Sequence, residues 1–279
     1  MAQRVGLIGV GLMGAALLSR LHAAGRKVQA FDISEERMKL AREQGASTVA
    51  SVADAARDAD FIHVFVRTDD ELTEVITGKD GVLSSAKDGA LIFMHSTVMP
   101  DTTRKIAAVA RARKVRAMDA PVTAVPRVVA EGRAVFLIGG ADDDAAIAEP
   151  YLEPLGRAVY HFGPVGTGNV AKIAKNLINA NERIALAEVA AIAEAGGVNV
   201  QQFLDMAAAV DQGSTVGRWQ ASFEMVGNHA APRPASNLFN KDIGLAADLA
   251  KVLGLQTPLT QAAADTAKVW VAGWEKAKK

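Results

Sequence analysis

The 279-residue chain reads as an α/β protein, with a doubly wound N-terminal domain joined by one long helix to an all-α C-terminal domain. Three observations predict this. Short apolar runs alternate with helical patterns through the first half, a nearly unbroken Ala-rich helical stretch follows, and no further convincing strand pattern comes after it. The runs that read as buried strands are Arg4–Ile8, Val28–Phe31, Phe61–Val66, Ala90–His95, Arg116–Ala120, Val135–Ile138 and Val159–Phe162. Helical spacing lies between them at Gly14–Ala24, Ser34–Gln44, Ser51–Ala56 and Asp101–Arg113. Ser34 and Ser51 suit N-caps, and Gly25 and Gly45 suit helix stops.

The pattern changes at the turn Gly163-Pro164-Val165-Gly166, which divides the chain into domains of residues 1–162 and 163–279. Thr167–Ala195 has no Pro and only Gly168 as an internal Gly, so at 1.5 Å per residue it spans roughly 40 Å as one interdomain helix. Gly196-Gly197 ends it. Val200–Ala209, Thr215–Met225, Lys241–Leu253 and Leu259–Lys276 read as further helices, with a break at Ala231-Pro232-Arg233-Pro234.

Half the residues are hydrophobic but only 5% are aromatic, so the core must be built mainly from Ala, Val, Leu and Ile. Basic and acidic residues each total 31, leaving a formal net charge of zero and no electrostatic case for a nucleic acid or an anionic membrane. A small molecule is the expected partner. The absence of cysteine removes disulfides, thiolate nucleophiles and zinc-thiolate sites, and fits a reducing compartment. The five histidines, His22, His63, His95, His161 and His229, lack ligand spacing, so no metal site is expected. No signal-peptide pattern or long apolar span is present, and a soluble cytoplasmic protein is the simplest expectation.

The first motif with chemistry in it is Gly9-Val10-Gly11-Leu12-Met13-Gly14. It follows a strand pattern, opens a helix, and precedes Asp32 at the end of the second strand pattern, the context a dinucleotide-binding fingerprint needs. In that reading Gly9 makes the turn, Gly11 lets the backbone approach a pyrophosphate, and Gly14 lets helix and strand pack closely. The free N–H groups at the helix start, around Leu12 and Met13, receive the phosphate charge. Asp32 would accept from the ribose hydroxyls and repel a 2′-phosphate, favouring NAD over NADP. It also suits a helix cap with Glu35, and Arg37 one turn on could accommodate a phosphate, so NADP stays open.

On the long helix, Lys172, Asn176, Asn179 and Arg183 fall at i, i+4, i+7 and i+11, within a stripe roughly 60° wide at about 100° per residue. A solvated face is one reading. Two asparagines between two bases, with no acid three or four residues from either base, suit a site better than a helix surface.

Four segments in order resemble the β-hydroxyacid dehydrogenase family, which includes 3-hydroxyisobutyrate dehydrogenase and tartronate semialdehyde reductase. They are the glycine loop; Asp119-Ala120-Pro121-Val122-Thr123 with Gly132 and Gly139-Gly140; Gly163-x-x-Gly166-x-Gly168-x-x-x-Lys172-x-x-x-Asn176; and Lys241-Asp242-Ile243-Gly244-Leu245-Ala246. The resemblance covers nearly the whole chain. It implies a Rossmann-type first domain and a C-terminal domain like that of 6-phosphogluconate dehydrogenase. It also implies hydride transfer between nicotinamide and a small β-hydroxy acid or its semialdehyde, with Lys172 as general acid/base and Asn176 holding the substrate. Lys241 would touch substrate or cofactor, and Asp242 would orient its helix. Ser96-Thr97 and Phe65, Val66 and Arg67 would lie along the cofactor, Val66, Arg67 and Thr97 in contact with it. A lysine desolvated beside the cofactor can lose its proton near neutral pH.

The chain departs from the family where Thr123-Ala124-Val125 stands in place of Ser-Gly-Gly in the substrate-binding segment. Added Cβ atoms narrow the backbone's approach to a carboxylate, so a short hydroxy acid binds in a shifted pose, or the substrate is bulkier or lacks the carboxylate. Arg127, Arg218 or Arg233 could hold an anionic group instead. The resemblance extends to imine reductases, which generally replace the lysine that stands here as Lys172. A non-catalytic NAD-binding protein is the third reading, opposed by intact Lys172 and Asn176. The C-terminal helices are too few to bury their own apolar faces, so a homodimer or homotetramer is expected.

Overall fold

In the computed structural model the described residues are 3–210, 223–226, 229–232, 247, 250, 251 and 254–277. The side chains of Asn179 and Arg183, and Arg218, Arg233, Lys241 and Asp242 entirely, lie outside them, as does most of the helix expected over Lys241–Leu253. The chain divides into two compact units, Met1–Asn176 and Leu177–Lys279.

The first unit is built on a six-stranded parallel sheet ordered β3-β2-β1-β4-β5-β6. Its strands are β1 (Arg4–Ile8), β2 (Lys27–Phe31), β3 (Ser47–Thr48), β4 (Phe61–Val64), β5 (Leu91–Met94) and β6 (Arg116–Asp119). Alternation of side chains supplies both faces. Val5, Leu7, Phe61, Leu91, Phe93 and Met118 join one apolar cluster, while Ile8, Ile62, Val64, Ile92, Met94 and Ala117 join the other. The first cluster is covered by α1 (Leu12–Ala23), α2 (Glu35–Glu43) and α7 (Asp142–Leu152), and the second by α3 (Val52–Ala56), α4 (Asp69–Thr77) and α5 (Pro100–Ala112). A sheet buried on both faces and wound in this order is the doubly wound Rossmann arrangement, whose order reverses between β1 and β4.

Ser34 and Ser51 cap α2 and α3, their hydroxyls accepting from the N–H groups of Arg37 and Asp54. Helix α4 lies outside the helical spacing read from the sequence. Its first turn is Asp69-Asp70-Glu71 behind a Thr68 cap, an acidic start that suits the helix dipole. A second, three-stranded sheet was also not anticipated: β7 (Val122–Thr123) pairs antiparallel with β8 (Val135–Ile138), which pairs parallel with β9 (Ala158–His161). The chain leaves the main sheet after Asp119 because Pro121 has no N–H to extend a ladder. The short helix α6 (Pro126–Ala130) follows β7, starting at Pro126.

Helix α8 runs Thr167–Ala195, as its composition predicts, and its first turns belong to the first unit. In the second unit, α9 (Val200–Val210) and α10 (Pro258–Ala277) are helical as expected. Glu188 of α8 accepts from the N–H groups of Leu259 and Thr260 at 2.8 and 2.7 Å, binding the free start of α10. The expectation of helices alone needs one correction. Strands β10 (Phe223–Val226) and β11 (His229–Pro232) form an antiparallel pair, so Phe223–Met225 are extended where a helix ending at Met225 was expected. The reason is local: Phe223-Glu224-Met225 alternates and the β-branched Val226 follows, ahead of Gly227-Asn228, a turn dipeptide in sequence. No helix among the described residues is long and apolar enough to cross a membrane.

Candidate active site

The glycine loop leaves the carboxyl end of β1, beside the residues that follow β4, in the crevice where the sheet order reverses. Gly9 has φ +89°, and a Cβ there would stand 1.9 Å from the carbonyl oxygen of Phe65. A Cβ at Gly14 would stand 2.0 Å from the carbonyl oxygen of Gly9. Both glycines are therefore demanded by the fold. Gly11 is different: a Cβ there would meet nothing within 4 Å, so the open side of the loop faces a cleft. No side chain caps α1 and its first turn has no acid, which leaves that helix start available to an anion.

The cleft is about 790 Å³ and is lined by Gly9, Gly11, Asp32, Arg37, Phe65 and Val66 among others. Asp32 accepts from the N–H of Val10 at 2.7 Å through one oxygen and from the N–H of Ser34 at 2.9 Å through the other. It thus braces the glycine loop, while Ser34 caps α2. A carboxylate has about four acceptor sites, so capacity remains for a ribose diol. A dinucleotide fits these residues: a bare backbone where the pyrophosphate would lie, a helix start for its charge, and an acid where the ribose would reach. A cleft of similar size at the opposite ends of the strands is lined by Arg4, Asp58, Asp60 and Lys87, which pair with one another. Its location away from the strands' carboxyl ends argues against it as the cofactor site.

Of the other expected cofactor residues, Leu12 is 68% exposed, Met13 packs on the core, and Thr97 is exposed. Arg67 points to solvent and pairs with Glu71 at 2.8 Å. The Ser96 hydroxyl accepts from the N–H of Val66 and donates to its carbonyl, tying the turn after β5 to the turn after β4.

A second cluster of the expected site residues is assembled by Asp119. Its buried carboxylate accepts from the N–H groups of Gly166 and Asn169, each at 2.6 Å, so the end of β6 holds the start of α8. Burial pushes the Asp119 carboxyl up, and these two N–H groups oppose that shift. Gly139 and Gly168 make the approach possible. A Cβ on Gly168 would lie 2.4 Å from the carbonyl oxygen of Leu137, and one on Gly139 would lie 2.6 Å from Asp119. Asn169 is fully buried and accepts from the N–H of Val98 at 3.1 Å.

One helical turn beyond that anchor, the half-buried Lys172 donates from Nζ to the carbonyl oxygen of Val122 at 2.6 Å. Partial burial, and secondarily the Lys175 ammonium, pull its pKa below the ordinary lysine value. The structure thus brings Lys172 to the strand carrying Thr123. Ala124 is partly buried against the core, Val125 is 62% exposed at the start of α6, and Asn176 is exposed. Sequence reading missed the anchoring role of Asp119 and Asn169 and a buried array of His63, His95 and Tyr151. Their partners lie 32 to 88 positions apart, and no local pattern announces them.

Comparison with known proteins identifies the family. Residues 4–166 match the family model for the NAD binding domain of 6-phosphogluconate dehydrogenase, and residues 166–278 match that for the NAD-binding of NADP-dependent 3-hydroxyisobutyrate dehydrogenase. The chain is 31% identical to "Probable 3-hydroxyisobutyrate dehydrogenase, mitochondrial" of Dictyostelium discoideum, over 91% of this chain and 81% of that one. It is 30% identical to the NAD-dependent L-serine dehydrogenase of Pseudomonas aeruginosa, over 92% and 88%. Among solved structures, 3-hydroxyisobutyrate dehydrogenase of Mycobacterium tuberculosis with L-serine superposes with a TM-score of 0.71 at 28% identity, covering 98% of this chain and 94% of that one. An imine reductase variant of Myxococcus stipitatus with NAD+ shares the fold, with a TM-score of 0.79 at 20% identity over 98% and 94%. The chain belongs to the β-hydroxyacid dehydrogenase family of NAD(P)-dependent oxidoreductases.

Proposed function

We propose that this protein is an NAD-dependent dehydrogenase of a small β-hydroxy acid, with Lys172 as its general acid/base. The observation that carries this is the Lys172 ammonium, half-buried and held at 2.6 Å on the Val122 carbonyl beside Thr123, with its pKa drawn down. Bound nicotinamide supplies the hydride acceptor or donor. Lys172 takes the hydroxyl proton in oxidation and returns one to the carbonyl oxygen in reduction. Thr123 offers a hydroxyl to the substrate, and Asn176, one turn beyond Lys172, offers an amide. Gly9, Gly11, the start of α1 at Leu12 and Met13, Gly14 and Asp32 hold the dinucleotide. Val66, Arg67 and Thr97 border it; Lys241, to which the family resemblance gives a contact with substrate or cofactor, lies outside the described residues. Asp32, Asp70, Glu71 and Glu74 outnumber Arg37 and Arg67 along the cleft, which favours NAD over a cofactor bearing a 2′-phosphate.

The relatives named for 3-hydroxyisobutyrate and L-serine define the first substrates to test. The exposed Val125 favours a substrate with some apolar bulk beside its carboxylate, so 3-hydroxyisobutyrate is expected to outperform L-serine. A panel of both acids, bulkier hydroxy acids and cyclic imines, run with NAD and NADP cofactors, tests this reading; turnover confined to imines would reassign the site. Lys172→Ala is expected to abolish turnover and leave NADH binding intact, and retained turnover would sink the role of Lys172. A homo-oligomer is part of the same reading, supported by Ile178, Val189 and Met206 at 40 to 51% exposure in the helical unit. Sedimentation as a monomer would refute it.

A further inference from the structure

On the face of the sheet that carries the apolar cluster around Phe61 and Phe93, His63 and His95 meet Tyr151 of α7, three polar rings in contact. His63 Nδ1 lies 2.7 Å from His95 Nε2, His63 Nε2 lies 2.8 Å from the Tyr151 hydroxyl, and His95 Nδ1 lies 2.7 Å from the carbonyl oxygen of Ala120. The two histidine rings are parallel within 2°, and all three residues are buried. Nothing in the proton transfer assigned to Lys172 uses them.

Their geometry dictates where every proton sits. A carbonyl oxygen only accepts, so His95 carries its proton on Nδ1. Burial keeps both imidazoles neutral, which leaves His95 Nε2 bare and able to accept only from a protonated His63 Nδ1. His63 Nε2 is then bare in turn, and the Tyr151 hydroxyl donates to it. The result is a one-way chain of donors, Tyr151 to His63 to His95 to the Ala120 carbonyl. It ends two residues before Val122, the carbonyl that receives Lys172. Pro121 between them has no N–H, and its carbonyl is taken by the N–H of Leu137. The bond from His95 is therefore the side-chain clasp on the stretch that meets Lys172. The ring of His95 stacks on Phe65 at 4.3 Å, and Phe65 lies against Gly9 and Gly14 of the cofactor loop.

We propose that His95, polarised by His63 and Tyr151, is a positioning residue that holds the Ala120–Val122 stretch in register with Lys172 while bracing the cofactor loop through Phe65. The proposal rests on the assignment of Lys172, so its test needs readouts that do not share that assignment. The first is the tautomer: ¹⁵N spectra of histidine-labelled protein, assigned with the His63 and His95 variants, are expected to show both rings protonated on Nδ1. An Nε2–H tautomer on either ring overturns the chain of donors whatever Lys172 does.

The second readout is a pair of substitutions. Asn sets its amide nitrogen where Nδ1 stands, so His95→Asn keeps the clasp on Ala120 and loses the ring, whereas His95→Leu loses both. With whichever of 3-hydroxyisobutyrate or L-serine is turned over, His95→Leu is expected to lower kcat on the order of tenfold or more, and His95→Asn to stay within about threefold of the parent. NADH binding should weaken alike in the two variants, since both remove the stack on Phe65. A fall in kcat that is equal in the two variants, or absent in His95→Leu, overturns the proposal. If His95→Leu does not fold, the tautomers of the parent and kcat of His95→Asn still decide it. Retained turnover in Lys172→Ala would overturn the proton-transfer assignment and leave the tautomer result standing.

Discussion

Alanine substitutions at Gly11 and Gly14 separate what the loop does for the fold from what it does for the cofactor. At Gly14 the new methyl would sit 2.0 Å from the carbonyl oxygen of Gly9, about 1.4 Å inside ordinary contact. That oxygen is backbone, so α1 must lift from the loop at a cost of roughly 1 to 3 kcal/mol or more. At Gly11, φ is −65° and no atom lies within 4 Å of the new methyl, so folding stability should stay within about 0.5 kcal/mol of the parent. The same methyl occupies the space through which a pyrophosphate approaches the backbone. NADH affinity should therefore fall at least about tenfold, a loss of about 1.4 kcal/mol. Urea melts without cofactor and NADH fluorescence titrations measure the two effects separately. A Gly11→Ala protein of unchanged NADH affinity would refute the placement of the phosphates, and a Gly14→Ala protein of unchanged stability would refute the packing argument.

Three further outcomes follow from the same contacts. His95 is buried with its pKa drawn down to about 4, so between that value and 6.5 the unfolded chain binds a proton that the folded one does not. Its contribution is neutral above pH 7 and becomes destabilising as pH falls, by about 2 kcal/mol at pH 5; His95→Asn should flatten the stability profile from pH 7 to 5, and an unchanged slope would contradict this. Asp32→Ala should loosen NADH binding and narrow the preference over NADPH, because it removes the acid facing the ribose and a brace on the loop; an unaltered NADH-to-NADPH ratio in parallel titrations would count against that role. Gly168→Ala should lower the melting temperature by several degrees and kcat with it, since its methyl would press at 2.4 Å on the Leu137 carbonyl and push α8 from Asp119; wild-type melting and kinetics would dismiss the anchor.

Much of the molecule was legible in the sequence because its signals are local. The strand runs, the caps at Ser34 and Ser51, the full span of α8 and the three loop glycines each depend on neighbours within a few positions. Helix α4 escaped because its apolar pattern is short, and β10 and β11 escaped because four-residue strands inside an Ala-rich stretch carry too little periodicity to be told from helix.

Gly9-Val10-Gly11-Leu12-Met13-Gly14, Asp32 and the spacing from Gly163 to Lys172 were set by the sequence alone, since a nucleotide fingerprint is a backbone conformation written into consecutive residues. Only the tertiary structure decided that Asp119 seizes the start of α8, that Lys172 meets Val122, and that Tyr151, His63 and His95 point in line at Ala120. Those contacts join residues 25 to 88 positions apart. Their energy comes from burying polar groups together, which no segment of the chain can do by itself.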